Sequence, residues 1–306
     1  MASKRLSAFL VKPADLASAL KQATSPRIIP LCASWFLPND PEKRTGLSVF
    51  KKSHIPTARF FDLDAISDTS SPYPHMLPSP TIFADAMRSL GIQRDDSLVV
   101  YDSAELGIFS APRVAWTLKI FGHPHVHILN NYKLWLEEGY PTQSGEQEQF
   151  EKSEYPVPIM DEGKVVAFKE MKDIVMQHGK GEQGVQILDA RPYGRWSGSD
   201  AEPRPGLSSG HMPGSVSLPL PELLDPKTKA FLPREQLRQV LQSRGIDLSK
   251  PIVSSCGTGV TAAVIDAALT EASIGQEDSR RLYDGSWTEW AQRVDANDSL
   301  IIKGEE

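Results

Sequence analysis

An internal repeat constrains this chain more than any other feature. His54-Ile55-Pro56 precedes an apolar run at 58–64, and His211-Met212-Pro213-Gly214 precedes another at 215–220. A helical pattern at 81–90 passes through Gly91-Ile92 into Ser97-Leu98-Val99-Val100-Tyr101-Asp102. A second, at 234–243, passes through Gly245-Ile246 into a strand-like run that ends at Cys256. Gly91 to Asp102 and Gly245 to Cys256 are both 11 residues. Self-similarity on this scale means two copies of one α/β domain, not a solenoid of short repeats.

Strands alternating with helices predict a mostly parallel sheet flanked by helices in each copy. Further helices are expected at 14–22, 112–122, around Trp135 and at 168–177, and further strands at 27–36, 125–129 and 185–191. Residues 142–163 are rich in Gln, Glu, Ser and Pro with little periodicity and read as a linker. The expected domains are therefore 1–141 and 164–306, a division that 306 residues can support.

The chemistry is concentrated between Pro251 and Leu269. A β-branched run ends at Cys256, Gly257-Thr258-Gly259-Val260-Thr261 follows, and apolar residues continue at helical spacing through Val264 and Ala267. Strand, tight loop and helix are the expected elements. Glycines at 257 and 259 let the backbone curl so that N–H groups point inward, toward the thiol and the helix N-terminus. Oriented N–H groups and a helix dipole favour a thiolate, so Cys256 is a candidate nucleophile rather than a buried structural thiol. At the carboxyl end of a strand it sits where parallel sheets gather ligands. Asp102 holds the matching position in the first copy, followed by Ser103-Ala104-Glu105-Leu106, so that copy is expected to lack thiol chemistry.

With 33 Lys and Arg against 39 Asp and Glu, the net charge of −6 offers no footprint for nucleic acid or an anionic membrane. No apolar run approaches the roughly 20 residues of a membrane span. The two cysteines, Cys32 and Cys256, make no disulfide framework, which points to a reducing compartment, the cytoplasm. The basic residues 1–12 read as the lead-in to the first helix, with a mitochondrial address as the second reading. His123, His125 and His127 alternate as a strand start with one face solvated; no metal and no cofactor are expected.

These residues resemble a known family, the two-domain sulfurtransferases of the rhodanese superfamily. The resemblance covers nearly the whole chain. It is carried by Ala33-Ser34-Trp35, the stretch Ser70-Ser71-Pro72-Tyr73-Pro74-His75-Met76-Leu77-Pro78, Asp189-Ala190-Arg191 with Gly194-Arg195-Trp196, Gly210 to Gly214, the Cys256 loop, and Tyr283-Asp284-Gly285-Ser286-Trp287. In that family, thiosulfate sulfurtransferases carry a basic pair after the cysteine. Cys-Gly-Thr-Gly-Val-Thr here is instead similar to the Cys-Gly-Ser-Gly-Val-Thr of the 3-mercaptopyruvate branch.

The resemblance implies tandem rhodanese-like domains and transfer of sulfur from 3-mercaptopyruvate through a Cys256 persulfide, with Gly257, Gly259, Val260 and Thr261 lining the donor site. It implies that Arg195 and Arg204, nine residues apart, hold the carboxylate and keto oxygen, a task suited to a guanidinium fork. It also implies a proton relay of Thr258, His75 and Asp64, the latter two supplied by the first domain. Thr258 replaces the family serine and adds a methyl that restricts χ1. Implied partners are the small donor and a thiol acceptor such as thioredoxin or a sulfur-relay protein that feeds tRNA thiolation. Thr57 departs from a family glycine, and Asp266 places an acid on the helix after the loop. Thiosulfate as main donor and a persulfide-carrier module are the alternatives. A cysteine phosphatase would need arginine at the sixth position after the cysteine, where Ala262 stands.

Overall fold

The computed structural model describes residues 6–22, 26–178, 184–247, 249–295 and 299–304. The first five residues of the basic N-terminus lie outside the described residues. Two compact units emerge. The first takes the chain through Ser70, then Leu77–Asp161 and Asp225–Phe231; the second takes Ser71–Met76, Glu162–Leu224 and the chain from Leu232 onward.

The first unit is built from β1 (Leu10–Val11), α1 (Pro13–Leu20), β2 (Ile28–Cys32), α2 (Gly46–Lys52), β3 (Arg59–Phe60), α3 (Pro80–Ser89), β4 (Ser97–Tyr101), α4 (Ala111–Ile120), β5 (Val126–Leu129) and α5 (Tyr132–Glu137). Its strands pair in the order β1-β5-β4-β2-β3, every pair parallel. The second unit follows with β6 (Val165–Val166), α6 (Phe168–His178), β7 (Gln186–Asp189), α7 (Tyr193–Ser197), β8 (Ser215–Ser217), α8 (Arg234–Ser243), β9 (Ile252–Ser255), α9 (Ala262–Ala272), β10 (Arg280–Tyr283) and α10 (Ser286–Arg293). Its order is β6-β10-β9-β7-β8, again all parallel. The two orders are the same, so β4 and β9 hold the same central place. Asp102 and Cys256 each come directly after that strand.

Central strands of a parallel sheet are covered on both faces and read as continuous apolar runs. Leu98, Val99 and Val100 of β4 are buried accordingly, as are Ile252 and Val253 of β9. Helix α9 is buried on nearly every side, and its five alanines let it lie close against neighbouring elements. Helix α8 is the opposite case: Leu237 and Leu241, one turn apart, face inward from an otherwise polar helix.

Residues 142–161 are not a free connection, because they pack with the first unit. His54 and Gln143 exchange backbone hydrogen bonds of 2.9 and 2.8 Å. Gln147 Oε1 accepts the Phe60 N–H of edge strand β3 at 2.5 Å, and the Arg59 guanidinium lies 4.2 Å over the Phe150 ring. The stretch lacks periodicity because it covers a sheet edge with side-chain bonds. It also supplies Tyr155, whose hydroxyl meets His123 Nδ1 at 2.9 Å, while His123 Nε2 meets the Asp96 carbonyl at 2.8 Å. His123 is buried ahead of β5, and His127 is buried within it, so the alternating histidines do not mark a solvated face.

Strand β3 is shorter than the expected 58–64 because Asp62 Oδ1 accepts the N–H groups of Asp64 and Ala65 and turns the chain away. Thr57 has φ +65°, and Gly214 at the matching place in the second copy has φ +73°. The repeat demands a left-handed residue there, which explains why threonine stands out.

Candidate active site

The loop that begins at Cys256 joins β9 to α9, and Cys256 itself is 1% exposed. The first turn of α10 fixes it from one side. Trp287 N–H donates to the Cys256 carbonyl at 2.9 Å, and the Gly257 carbonyl accepts both the N–H and the hydroxyl of Thr288, at 2.9 and 2.8 Å. Cys256 N–H donates to Ser286 Oγ at 3.2 Å, and that hydroxyl in turn donates to the Tyr283 carbonyl at 2.8 Å. Two successive loop carbonyls are thereby drawn toward α10.

The two glycines have different tasks. Gly259 sits at φ +76°, the left-handed region that favours glycine. At Gly257 the matter is proximity instead: a Cβ there would stand 3.3 Å from Arg195 Nη2, a close contact that a small shift of the guanidinium would relieve. Arg195, from α7, therefore lies against the loop. Val260 is buried and Thr261 partly buried at the entry to α9, where no side chain caps the helix. First-turn N–H groups of such a helix favour an anion.

Thr258 is 6% exposed, and its Oγ1 lies 3.0 Å from His75 Nδ1. His75 is itself buried, at φ +63°, a backbone state that costs a non-glycine residue about 1 kcal/mol. It belongs to the 71–76 segment that groups with the second unit, so the pair forms within that unit although 183 residues separate it in sequence. Asp64 falls in the first unit, where both carboxylate oxygens accept Trp35 Nε1–H at 3.0 Å.

Arg195 is held by a residue that sequence reading passed over. Glu202 Oε2 accepts Arg195 Nε–H at 3.0 Å and Nη2–H at 2.5 Å, while Oε1 accepts Arg191 Nη1–H at 2.8 Å. The Arg191 guanidinium makes three bonds to Asp189 and one to the Gly210 carbonyl, and lies 4.0 Å over the Trp287 ring. Arg204 is partly exposed on the same segment, two residues past Glu202. Ser286 and Thr288 likewise carry no signal of their role in the sequence, although Ser286 stands within the Tyr283–Trp287 stretch.

In the first unit the matching acid fills its own cradle. The Asp102 carboxylate accepts the N–H groups of Phe109, Ser110 and Ala111 at 2.8, 3.2 and 2.9 Å, and the Ser110 hydroxyl as well. An anion thus occupies the N-terminus of α4.

The rhodanese-like domain family matches residues 174–293. Thiosulfate sulfurtransferase TUM1 of Saccharomyces cerevisiae is 41% identical over 292 residues, which cover 92% of this chain and 94% of that protein. The 3-mercaptopyruvate sulfurtransferase of Rattus norvegicus is 39% identical over 296 residues, 96% of this chain and 95% of that one. The chain belongs to the rhodanese family of sulfurtransferases. Its fold agrees: a crystal structure of the S. cerevisiae Tum1 protein matches with a TM-score of 0.87 and 38% identity, over 97% of this chain and 98% of that one. The rhodanese-domain match spans the Cys256 loop, Arg195 and Glu202, and both α9 and α10. Among the described residues no helix is long and apolar enough to cross a membrane.

Proposed function

We propose that this rhodanese-family protein transfers sulfur from 3-mercaptopyruvate to a thiol. The observation that carries the proposal is the buried Cys256 in a loop whose carbonyls are pinned by α10, with Arg195 against Gly257. The Cys256 thiolate attacks the donor's sulfur, the carbon–sulfur bond breaks, and its electron pair leaves as the enolate of pyruvate. Protonation of that carbon through Thr258, with His75 behind it, gives pyruvate. Asp64 is retained as the third relay member on family resemblance alone. The persulfide anion left on Cys256 is stabilised by loop N–H groups and the N-terminus of α9. An acceptor thiolate then attacks the outer sulfur and frees Cys256, which makes the kinetics ping-pong.

Arg195 and Arg204 are assigned to the donor's carboxylate and keto oxygen, and Gly257, Gly259, Val260 and Thr261 to the lining of its site. The loop bears neither Lys nor Arg, which suits a donor with one negative charge. Thiosulfate is a second reading because the yeast relative carries that name. The acceptor is a small thiol, thioredoxin or a sulfur-relay protein, and the proposed location is the cytoplasm with a mitochondrial share. Steady-state kcat/KM for pyruvate release from 3-mercaptopyruvate, beside thiosulfate with cyanide, tests the assignment on wild type and Cys256→Ser. Preference for mercaptopyruvate and an inactive variant are expected. Turnover by Cys256→Ser would contradict it.

A further inference from the structure

Glu202 has no part in the transfer steps above, yet it binds the arginine that lies against the cysteine loop. One of its oxygens takes two N–H groups of Arg195 and the other takes Arg191, which is itself paired with Asp189. Two guanidinium groups and two carboxylates therefore cancel beside Gly257. The side chains of Asp189, Arg191 and Glu202 are 0%, 1% and 3% exposed, and that of Arg195 is 18% exposed. Charges so far removed from water are little screened. An incoming donor therefore meets an Arg195 whose charge Glu202 already offsets, and of the two arginines assigned to it only Arg204, two residues past Glu202, stands outside this cluster. The repulsion from that carboxylate scales with the donor's own charge, and the loop from Gly257 to Thr261 adds no cation to offset it.

We propose that Glu202 sets the charge limit of the sulfur donor: by occupying Arg195 and cancelling its charge, it favours monoanionic donors over dianionic ones. The inference rests on the reading of Cys256 as the sulfur-accepting nucleophile beside Arg195. 3-Mercaptopyruvate, with one ionised carboxylate, falls inside the limit, and thiosulfate, a dianion, falls outside it. Glu202 touches no reacting atom in this account and acts through Arg195 as a positioning residue.

The test is the ratio of kcat/KM for thiosulfate to that for 3-mercaptopyruvate, measured on the full chain. Glu202→Gln keeps the size of the side chain and removes its charge, so the ratio should rise about tenfold, while Glu202→Asp should keep the wild-type ratio. A merely structural role would lower both rates together, and an unchanged ratio in Glu202→Gln overturns the proposal. Wild type supplies a second measurement that does not depend on a variant folding. Methanethiosulfonate has the same sulfur–sulfur bond as thiosulfate but one charge fewer; attack on its outer sulfur releases methanesulfinate where thiosulfate releases sulfite. Its kcat/KM should exceed that of thiosulfate about tenfold or more, and equal or lower values overturn the charge limit. A wild type that takes sulfur from none of these donors overturns the sulfurtransferase reading, and the charge limit with it.

Discussion

The two cysteines show how little residue type alone decides. Cys32 ends β2 with its sulfur 3.3 Å from Ser34 Oγ, and burial pushes its thiol up to about 12, so it stays protonated and unreactive. Cys256 is as deeply buried, but it opens a loop that leads to an uncapped helix N-terminus. Asp102 and His123, both in the first unit, make opposite demands on stability. Burial raises the Asp102 carboxyl from 3.8 to about 6 and lowers His123 from 6.5 to about 4. Folded Asp102 keeps a proton that the unfolded chain has lost, so its contribution falls as pH rises across that window. Folded His123 stays neutral where the unfolded chain is charged, so its contribution is full above pH 6.5 and is lost as pH falls toward 4. Each amounts to about 3 kcal/mol, and in wild type the two slopes oppose one another. Urea midpoints measured between pH 4 and 6.5 should rise with pH in Asp102→Asn and fall with pH in His123→Gln. Parallel slopes in both variants would contradict this. Thr57 offers a simpler case: a β-branched residue at φ +65° is strained, and it is exposed. Thr57→Gly should stabilise by about 1 kcal/mol, read as a higher Tm, and a lower Tm would show that the threonine side chain is needed.

At the scale of elements, the site depends on a pairing that local sequence pattern does not reveal. The β9–loop–α9 unit was legible because a β-branched run, a cysteine, two glycines and an alanine-rich helix stand side by side. Strand β10 and helix α10 were not, although they hold the loop, because the bonds from Ser286 and Thr288 span 30 and 31 residues of sequence. Glu202 was missed for a similar reason: an acid between two arginines reads as an ordinary surface charge until folding brings Arg191 and Arg195 to it. The sequence gives Gly257 and Gly259 one task, letting the backbone curl, but of the two it is Gly259 that takes the left-handed conformation, while Gly257 faces Arg195. Thr288→Val removes one of the two donors to the Gly257 carbonyl and leaves the backbone bond. It should cost about 1 kcal/mol of stability and lower kcat for mercaptopyruvate turnover, with Thr288→Ser restoring both. A Val variant with wild-type kcat would show that this clamp does not tune the loop.

Over the whole molecule the repeat is the organising fact, and the two copies answer each other. Both sheets share one strand order, and the residue after the central strand is an anion-forming group in each, Asp102 in one and Cys256 in the other. The first copy fills a helix N-terminus with its own carboxylate, which accepts N–H groups there and, although burial raises it to about 6, carries a negative charge at neutral pH. In the second copy that charge is assigned to sulfur. Sequence spacing makes the repeat visible, whereas Ser71–Met76 with His75, and residues 142–161, group by packing and not by composition. The most direct test of the central claim is the mass of the protein after 3-mercaptopyruvate is added without an acceptor, followed by peptide mapping. The account predicts one added sulfur, on the peptide that holds Cys256, none on the peptide that holds Cys32, and one pyruvate released per sulfur bound. Pyruvate released with no sulfur on Cys256, or sulfur found on Cys32 instead, would contradict it.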